Sequence, residues 1–226
     1  MRLSRIAPLL LPLVAWCQPS APPEDVEAVV STDLGTFRFE FAADHAPKHV
    51  AQFLTLARQG YYDGSAFFRV VANGIIQGGD PLLKNPKTAR NLWGSGGLNL
   101  LAAETSGLKH ERGVVSTVSI PNRPDSDGSQ FFVCVVPQPV LDGHYSTFGR
   151  VTEGMDVVER ISRVPADKDG IVDTPVRIVS VTIEPKKAEP VESPAAAAEE
   201  APAAASAPVT EAAPVTASAP AESAEA

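Results

Sequence analysis

The chain has 226 residues and a formal net charge of −8. Seven glutamates beyond Lys187 carry −7 of this charge, so the residues up to Lys187 are nearly neutral at −1. That balance predicts no nucleic-acid partner. The two cysteines, Cys17 and Cys134, are too few for a disulfide framework. Cys134 lies in an apolar run and is predicted to be a small buried hydrophobic residue.

Residues 1–17 have the pattern of a signal peptide. Two arginines precede the apolar run Ile6–Trp16, which is too short and too interrupted by proline to span a bilayer. The sequence therefore predicts export, to a periplasm or out of the cell, with cleavage before Gln18. The alternative is a lipid anchor on Cys17, which the bulky Trp16 disfavours. Apart from that possible anchor, no membrane partner is expected.

The rest of the chain divides by composition into three parts. Residues 18–24 form a short linker and residues 25–186 one folded domain. Residues 187–226 consist almost entirely of Ala, Pro, Glu, Ser, Val and Thr, with no aromatic side chain. Such a segment buries too little apolar surface to offset the entropy of ordering, so it is predicted to be a disordered acidic tail.

The domain begins with a predicted hairpin and a predicted helix. Within Val26–Phe41, three phenylalanines alternate with polar residues over Thr36–Phe41, after a turn at Asp33–Gly35, which indicates a hairpin of two strands. Pro47–Gln59 has apolar residues at helical spacing, and Asp44 together with Pro47 marks its start. His45 and His49 are four residues apart, but exposed histidines explain them better than a metal pair does. No metal or cofactor is predicted.

Gly64–Asp80 carries two polar side chains, Arg69 and Gln77, in otherwise apolar runs. A half-buried guanidinium keeps its charge, so burying it costs several kcal/mol unless it is hydrogen-bonded. Two interpretations stay open at this point. Arg69 is either one half of a structural ion pair at a strand end or a working group in a site.

The remaining segments predict a small β-rich fold. Residues 81–112 show no sustained period, and a segment of that length is usually functional or disordered. Further strands are predicted over 113–118, 129–136 and 176–183, and residues 141–151 are predicted to supply a tight turn and another strand. A second helix over Met155–Ser162 is expected to turn Met155, Val158 and Ile161 inward. Many short strands with two helices indicate a closed antiparallel barrel or a sandwich covered by helices.

With these segments in order, the chain resembles the cyclophilin family of peptidyl-prolyl cis-trans isomerases. The resemblance covers about Val26 to Ile183, and its motifs are Gly60-Tyr61-Tyr62-Asp63-Gly64, Phe68-Arg69-Val70-Val71, Gln77-Gly78-Gly79-Asp80, Gly128-Ser129-Gln130-Phe131-Phe132, Leu141-Asp142-Gly143, Phe148-Gly149-Arg150-Val151 and Gly154-Met155-Asp156-Val157-Val158. It implies a mainly β fold: a closed eight-stranded antiparallel β-barrel capped by two α-helices. It also implies a monomeric isomerase that binds proline-containing peptide segments in a groove on the outer face.

The resemblance assigns the site residues. Arg69 matches the group that hydrogen-bonds the proline nitrogen, and Gln77 matches the glutamine that orients it. Phe132 and Leu141 match walls of the proline pocket. The other residues expected to contact the substrate are Gln130, Ile75, Val118 and Tyr145.

The chain departs from the family pattern at several of these positions. Gly74 and Ile75 replace Phe-Met, which removes an aromatic wall and about 1–3 kcal/mol of apolar contact. Val118 falls near a usually smaller alanine. Val140 replaces a frequent tryptophan, which implies weak binding of cyclosporin-like drugs, and Tyr145 replaces a frequent histidine. The last two changes also occur in bacterial cyclophilins, and the chain is expected to be an exported bacterial member.

Two functional hypotheses follow, and a third is weaker. The first is an isomerase that acts on folding or flexible exported proteins. The second is a peptide-binding module or chaperone of the same fold with little turnover, which Gly74 and Ile75 favour. The third is an unrelated barrel that binds sugar or metal. Asp125–Gly128 vaguely suggests a calcium loop, but the other ligand positions are not filled.

Overall fold

The computed structural model describes residues 21–98, 101–105, 107–119 and 125–187. The predicted signal peptide at 1–17, residues 18–20 of the linker and the tail beyond Lys187 lie outside these residues. Within the described part, no helix is both long enough and apolar enough to cross a bilayer.

Eight antiparallel strands close into a barrel, which confirms the predicted fold. Their bounds are β1 Val26–Thr32, β2 Gly35–Phe41, β3 Ala66–Val70, β4 Ile75–Gly78, β5 Val114–Ser119, β6 Ser126–Cys134, β7 Thr147–Glu153 and β8 Ile171–Pro185. Around the barrel the order is β1-β2-β7-β5-β6-β4-β3-β8. The last strand therefore closes the sheet by pairing with both β1 and β3.

Two helices pack on the barrel, α1 over Pro47–Arg58 and α2 over Met155–Ser162. As predicted, α2 buries Val158 and Ile161; it also buries Val157, while Met155 is only partly buried against the core. Inside the barrel, phenylalanines from β2, α1, β6 and β7 meet edge to face with centroids 5.2–6.1 Å apart. Such contacts between large apolar rings form the core.

The start of α1 differs from the prediction. Asp44 does not cap the helix, and the N-cap residue Ala46 makes no side-chain hydrogen bond. Instead the Glu104 carboxylate accepts the N–H groups of Lys48 and His49 at 3.1 and 3.0 Å. It also lies 2.6 Å from His49 Nδ1. His49 is therefore buried and paired, so the prediction of two exposed histidines is wrong for His49 and correct for His45.

The strand register builds one row of side chains across the barrel surface. Arg69 on β3 pairs with Gln77 on β4, and Gln77 pairs with Phe132 on β6. Residues directly opposite each other share a face of the sheet, and neighbours along a strand alternate faces. Phe131 points into the core, so Gln130 and Phe132 stand on the outer face with Arg69 and Gln77.

Candidate functional site

An open groove of about 800 Å³ runs over this row of side chains. All eight residues singled out from the sequence line it: Arg69, Ile75, Gln77, Val118, Gln130, Phe132, Leu141 and Tyr145. They come from four strands and from the segment before β7. The groove has a polar end built around Arg69 and an apolar end built around Phe132.

Arg69 is half-buried and held by neutral acceptors. Its Nη1 donates to Gln77 Oε1 at 3.4 Å, and its Nε donates to the backbone oxygen of Asp169 at 3.3 Å. The Asp169 carboxylate is itself paired with Lys168 at 2.8 Å. Among the residues that the structure describes, no carboxylate forms an ion pair with Arg69. These residues therefore do not support the interpretation of Arg69 as one half of a structural ion pair. Its guanidinium charge faces the groove.

Two buried glutamines continue this polar end. Gln77 Nε2 donates to Gln130 Oε1 at 3.1 Å. Gln130 Nε2 in turn donates to the carbonyl oxygens of Gly94, at 3.1 Å, and of Gly96. Because each amide uses both its donor and its acceptor, the side chains are fixed in one orientation. Through Gln77, these hydrogen bonds hold the Arg69 guanidinium on the side that faces the barrel.

The apolar end is a cluster around Phe132. Tyr145 meets the Phe132 ring edge to face, with centroids 5.4 Å apart. Behind Phe132 lies the buried ring of His110, nearly parallel at 5.9 Å. Asp142 accepts the His110 N–H at 2.7 Å and lies 3.1 Å from its Nδ1, and these hydrogen bonds hold the pKa of Asp142 below its ordinary value. The pair anchors the segment that carries Leu141.

Sequence reasoning missed several side chains of the groove, among them Val71, Trp93 and Ile171. Trp93 lies in the irregular 81–112 segment, where its indole N–H donates to Thr88 O at 3.2 Å. The length of that segment was the available signal. No sequence signal pointed to Val71 or Ile171. Val71 reaches the groove because of a tight turn, and Ile171 because its strand pairs with a distant strand.

The Val71 side chain also takes up part of the space left by the missing side chain at Gly74. A Cβ on Gly74 would lie 2.9 Å from Val71 Cγ1, so the Val71 side chain occupies the space that a larger residue at 74 would need. Ile75 lines the groove beside them. Val140, at the frequent tryptophan position, is 76% exposed in a single 3-10 turn and is not among the lining residues.

Cys134 is buried as predicted, and burial raises the pKa of its thiol to about 12. A thiol of that pKa is a poor nucleophile at neutral pH. The groove instead presents a fixed cation, two oriented amides and an apolar pocket. These features define a class of protein: a closed antiparallel barrel with an outer groove that has a charged, hydrogen-bonding end and an apolar end.

Comparison with known proteins agrees with this class. The family model described as "Cyclophilin type peptidyl-prolyl cis-trans isomerase/CLD" matches residues 28–183. The chain belongs to this family, and its enzymatic class is peptidyl-prolyl isomerase.

Individual relatives cover the same domain. The chain is 39% identical to "Peptidyl-prolyl cis-trans isomerase-like 1" of Neurospora crassa over 70% of this chain and 93% of the relative. It is 37% identical to an Arabidopsis thaliana peptidyl-prolyl cis-trans isomerase over 69% of this chain and 90% of the relative. The solved structure of a Cryptosporidium parvum cyclophilin type isomerase, determined in the presence of the dipeptide Ala-Pro, has a TM-score of 0.62 and 29% identity. It covers 71% of this chain and 99% of its own.

Proposed function

We propose that this isomerase twists X–Pro peptide bonds with a hydrogen bond from Arg69 to the proline nitrogen. Amide resonance gives the planar bond a rotation barrier of about 20 kcal/mol. In the twisted state the nitrogen lone pair leaves resonance and becomes a hydrogen-bond acceptor. A guanidinium donor then binds the twisted state more strongly than either planar isomer, which is the condition for catalysis.

The single observation that supports this role is the environment of Arg69. Gln77 and the Asp169 carbonyl fix the guanidinium without neutralising it. The proline ring would lie in the apolar end, against Phe132 and Leu141, with Ile75, Val118 and Tyr145 around it. The two glutamines would contact the peptide backbone. The structure of the Cryptosporidium parvum relative, determined in the presence of the dipeptide Ala-Pro, supports a proline-containing peptide as the occupant of the groove.

The test compares Arg69→Ala and Arg69→Lys with the wild type on a proline tetrapeptide. Loss of a preorganised donor of this kind costs about 10²–10³-fold in rate, so Arg69→Ala should lower kcat/KM by that factor. Lysine keeps the charge but not the planar fork and should restore activity only in part. Arg150→Ala is the matched control, because Arg150 is exposed, pairs with Glu111 and is not among the residues that line the groove. Equal rates for wild type and Arg69→Ala would refute the mechanism.

A second candidate is a peptide-binding module with little turnover. The observation in its favour is the missing aromatic wall at Gly74, which Val71 fills only with a small side chain. This candidate predicts that a proline peptide shifts the NMR signals of the groove residues while its cis-trans exchange stays at the uncatalysed rate. Exchange accelerated at catalytic protein concentration would exclude it.

For the cellular role, we propose an exported bacterial monomer that acts on proline-containing segments of folding or flexible proteins. The support is the signal-like sequence of residues 1–17. Expression of the full chain, followed by fractionation and N-terminal sequencing, tests this proposal. A mature protein that begins at Gln18 outside the cytoplasm is expected. Retention of residues 1–17 on a cytoplasmic protein would contradict export, and a lipid on Cys17 would establish the anchored alternative.

A further inference from the structure

Asp80, in the segment that follows β4, is a completely buried carboxylate. Its oxygens accept only backbone N–H groups: Leu82 at 2.8 Å, Gly94 at 2.6 Å and Gly96 at 3.4 Å. Among the described residues, no Lys, Arg or His forms an ion pair with it. Burying a carboxylate away from any cation costs several kcal/mol, which the oriented N–H groups must offset. The free-energy cost of burying the Asp80 carboxylate at this position calls for an explanation.

The loop at Gly94–Gly96 lies between Asp80 and the groove. A Cβ on Gly96 would come within 2.1 Å of Asp80 Oδ1, so this backbone rests directly on the carboxylate. On its other side, the loop turns the carbonyl oxygens of Gly94 and Gly96 toward Gln130 Nε2. The position of Asp80 therefore sets the position of the acceptors that hold Gln130.

From Gln130 onward the direction of every hydrogen bond is determined. The loop carbonyls can only accept, so the Gln130 amide must turn its NH₂ group to them. Its oxygen is then left for Gln77 Nε2, and the Gln77 oxygen is left for Arg69 Nη1. The donor and acceptor directions of the hydrogen bonds are therefore fixed along the whole path, from the Asp80 carboxylate through the loop and the two glutamine amides to the Arg69 guanidinium.

We propose that Asp80 is a positioning residue for isomerisation, fixing the loop that orients Gln130, Gln77 and finally the Arg69 guanidinium. The inference rests on the proposed role of Arg69. Asp80 itself touches neither the groove nor the substrate. Its effect is on the geometry of the reacting donor, and this separates it from a residue that merely stabilises the domain.

The test is Asp80→Asn, which keeps the shape but turns one acceptor into a donor facing a backbone N–H. A displaced catalytic group costs one to two orders of magnitude in rate, so kcat should fall by about tenfold or more. The dissociation constant of a proline peptide should stay within about twofold, because the apolar end is unchanged. The NMR signals of the Gln77 and Gln130 side-chain amides and of Arg69 Nε–H should all shift.

Asp63→Asn is the matched control. Asp63 also accepts a backbone N–H, from Val181 at 3.1 Å, but it does not line the groove. The control should leave kcat and the three signals unchanged. If Asp80→Asn does not fold, Gly96→Ala takes its place, because it keeps the carboxylate and pushes the loop away from it.

Three results would overturn the inference: wild-type kcat in folded Asp80→Asn, a rate loss matched entirely by weaker peptide binding, or an unmoved Arg69 signal. Failure of the mechanism itself looks different. In that case Arg69→Ala would match wild type, and the three signals in Asp80→Asn would still show whether the hydrogen-bonded path exists.

Discussion

Val71 and Gly74 form a complementary pair in the β3–β4 turn, and enlarging Gly74 tests that pairing. A Cβ at 74 would lie 2.9 Å from Val71 Cγ1, 3.1 Å from its Cβ and 3.2 Å from its backbone oxygen. The turn cannot easily give way, because Gly74 N–H donates to Val71 O at 2.9 Å and Gly74 O accepts Val135 N–H at 2.8 Å. We therefore expect Gly74→Ala to destabilise the domain.

The magnitude follows from the contacts. Overpacking of this kind costs about 1–3 kcal/mol. Val71 is 38% exposed, so Val71→Ala alone should cost no more than about 1 kcal/mol. In the double variant the closest contact, 2.9 Å to Cγ1, is removed, while the contacts with the Cβ and the backbone oxygen of residue 71 remain, so part of the loss should disappear. The expected coupling energy is about 1 kcal/mol, within the range for residues in contact.

The assay is urea unfolding of the four proteins of the cycle, followed by far-UV circular dichroism. Single-variant losses that add within about 0.5 kcal/mol would refute the complementary packing. The same argument applies to activity. Phenylalanine at 74 should restore an aromatic wall and raise kcat/KM only when Val71 is also cut back to alanine. Improvement from Gly74→Phe alone would show that Val71 does not occupy that space.

Two further predictions concern stability. Burial lowers the pKa of His49 from its ordinary 6.5 despite the hydrogen bond and charge of Glu104, so the unfolded chain binds the proton more readily and the free energy of unfolding should fall as pH drops below about 6.5. For one proton, the free energy of unfolding can change by at most about 1.4 kcal/mol per pH unit. His49→Gln should therefore flatten the dependence of this free energy on pH between pH 7 and 5. Separately, Arg38→Ala removes the 2.7 Å partner of the buried Glu27 and should cost about 3–5 kcal/mol.

Matched controls exist for both predictions. His45 is exposed, so His45→Gln should leave the pH profile of urea unfolding unchanged, and an equally steep profile in His49→Gln would contradict the assignment. Although burial opposes it, hydrogen bonds from His49 and Lys48 hold the pKa of Glu104 below 4.5, which adds a second loss below that pH. For Arg38, the exposed Arg150 pair should cost less than about 1 kcal/mol on truncation. Equal losses for the two arginines would count against the buried pair.

Local periodicity was enough to predict much of the fold. The β1–β2 hairpin and α2 have the predicted bounds or nearly so, because their signals lie within a few residues of each other. β8 begins at Ile171, five residues before the predicted strand, and its first residue pairs with Arg69 on the distant strand β3. Pairing between residues about 100 positions apart leaves no local pattern.

The candidate site shows the same division. Arg69, Gln77 and Phe132 could be placed through short ordered motifs that resemble a family. The cap on α1 could not, because Glu104 comes from a segment more than 50 residues away. The role of Val71 depends on the conformation of one turn, where Asn73 has φ 52°.

The closed barrel has a consequence for how substrates are chosen. A sheet with a free edge can take up an extended peptide as an extra strand and hold it through its main chain along its whole length. Here each strand already has two neighbours, so no strand edge in the described barrel is free to pair with a peptide. A peptide in the groove would instead be bound by side chains at a few points around the proline. Under the proposed mechanism, recognition would then be concentrated on the proline, and the flanking residues of the peptide would be left largely free.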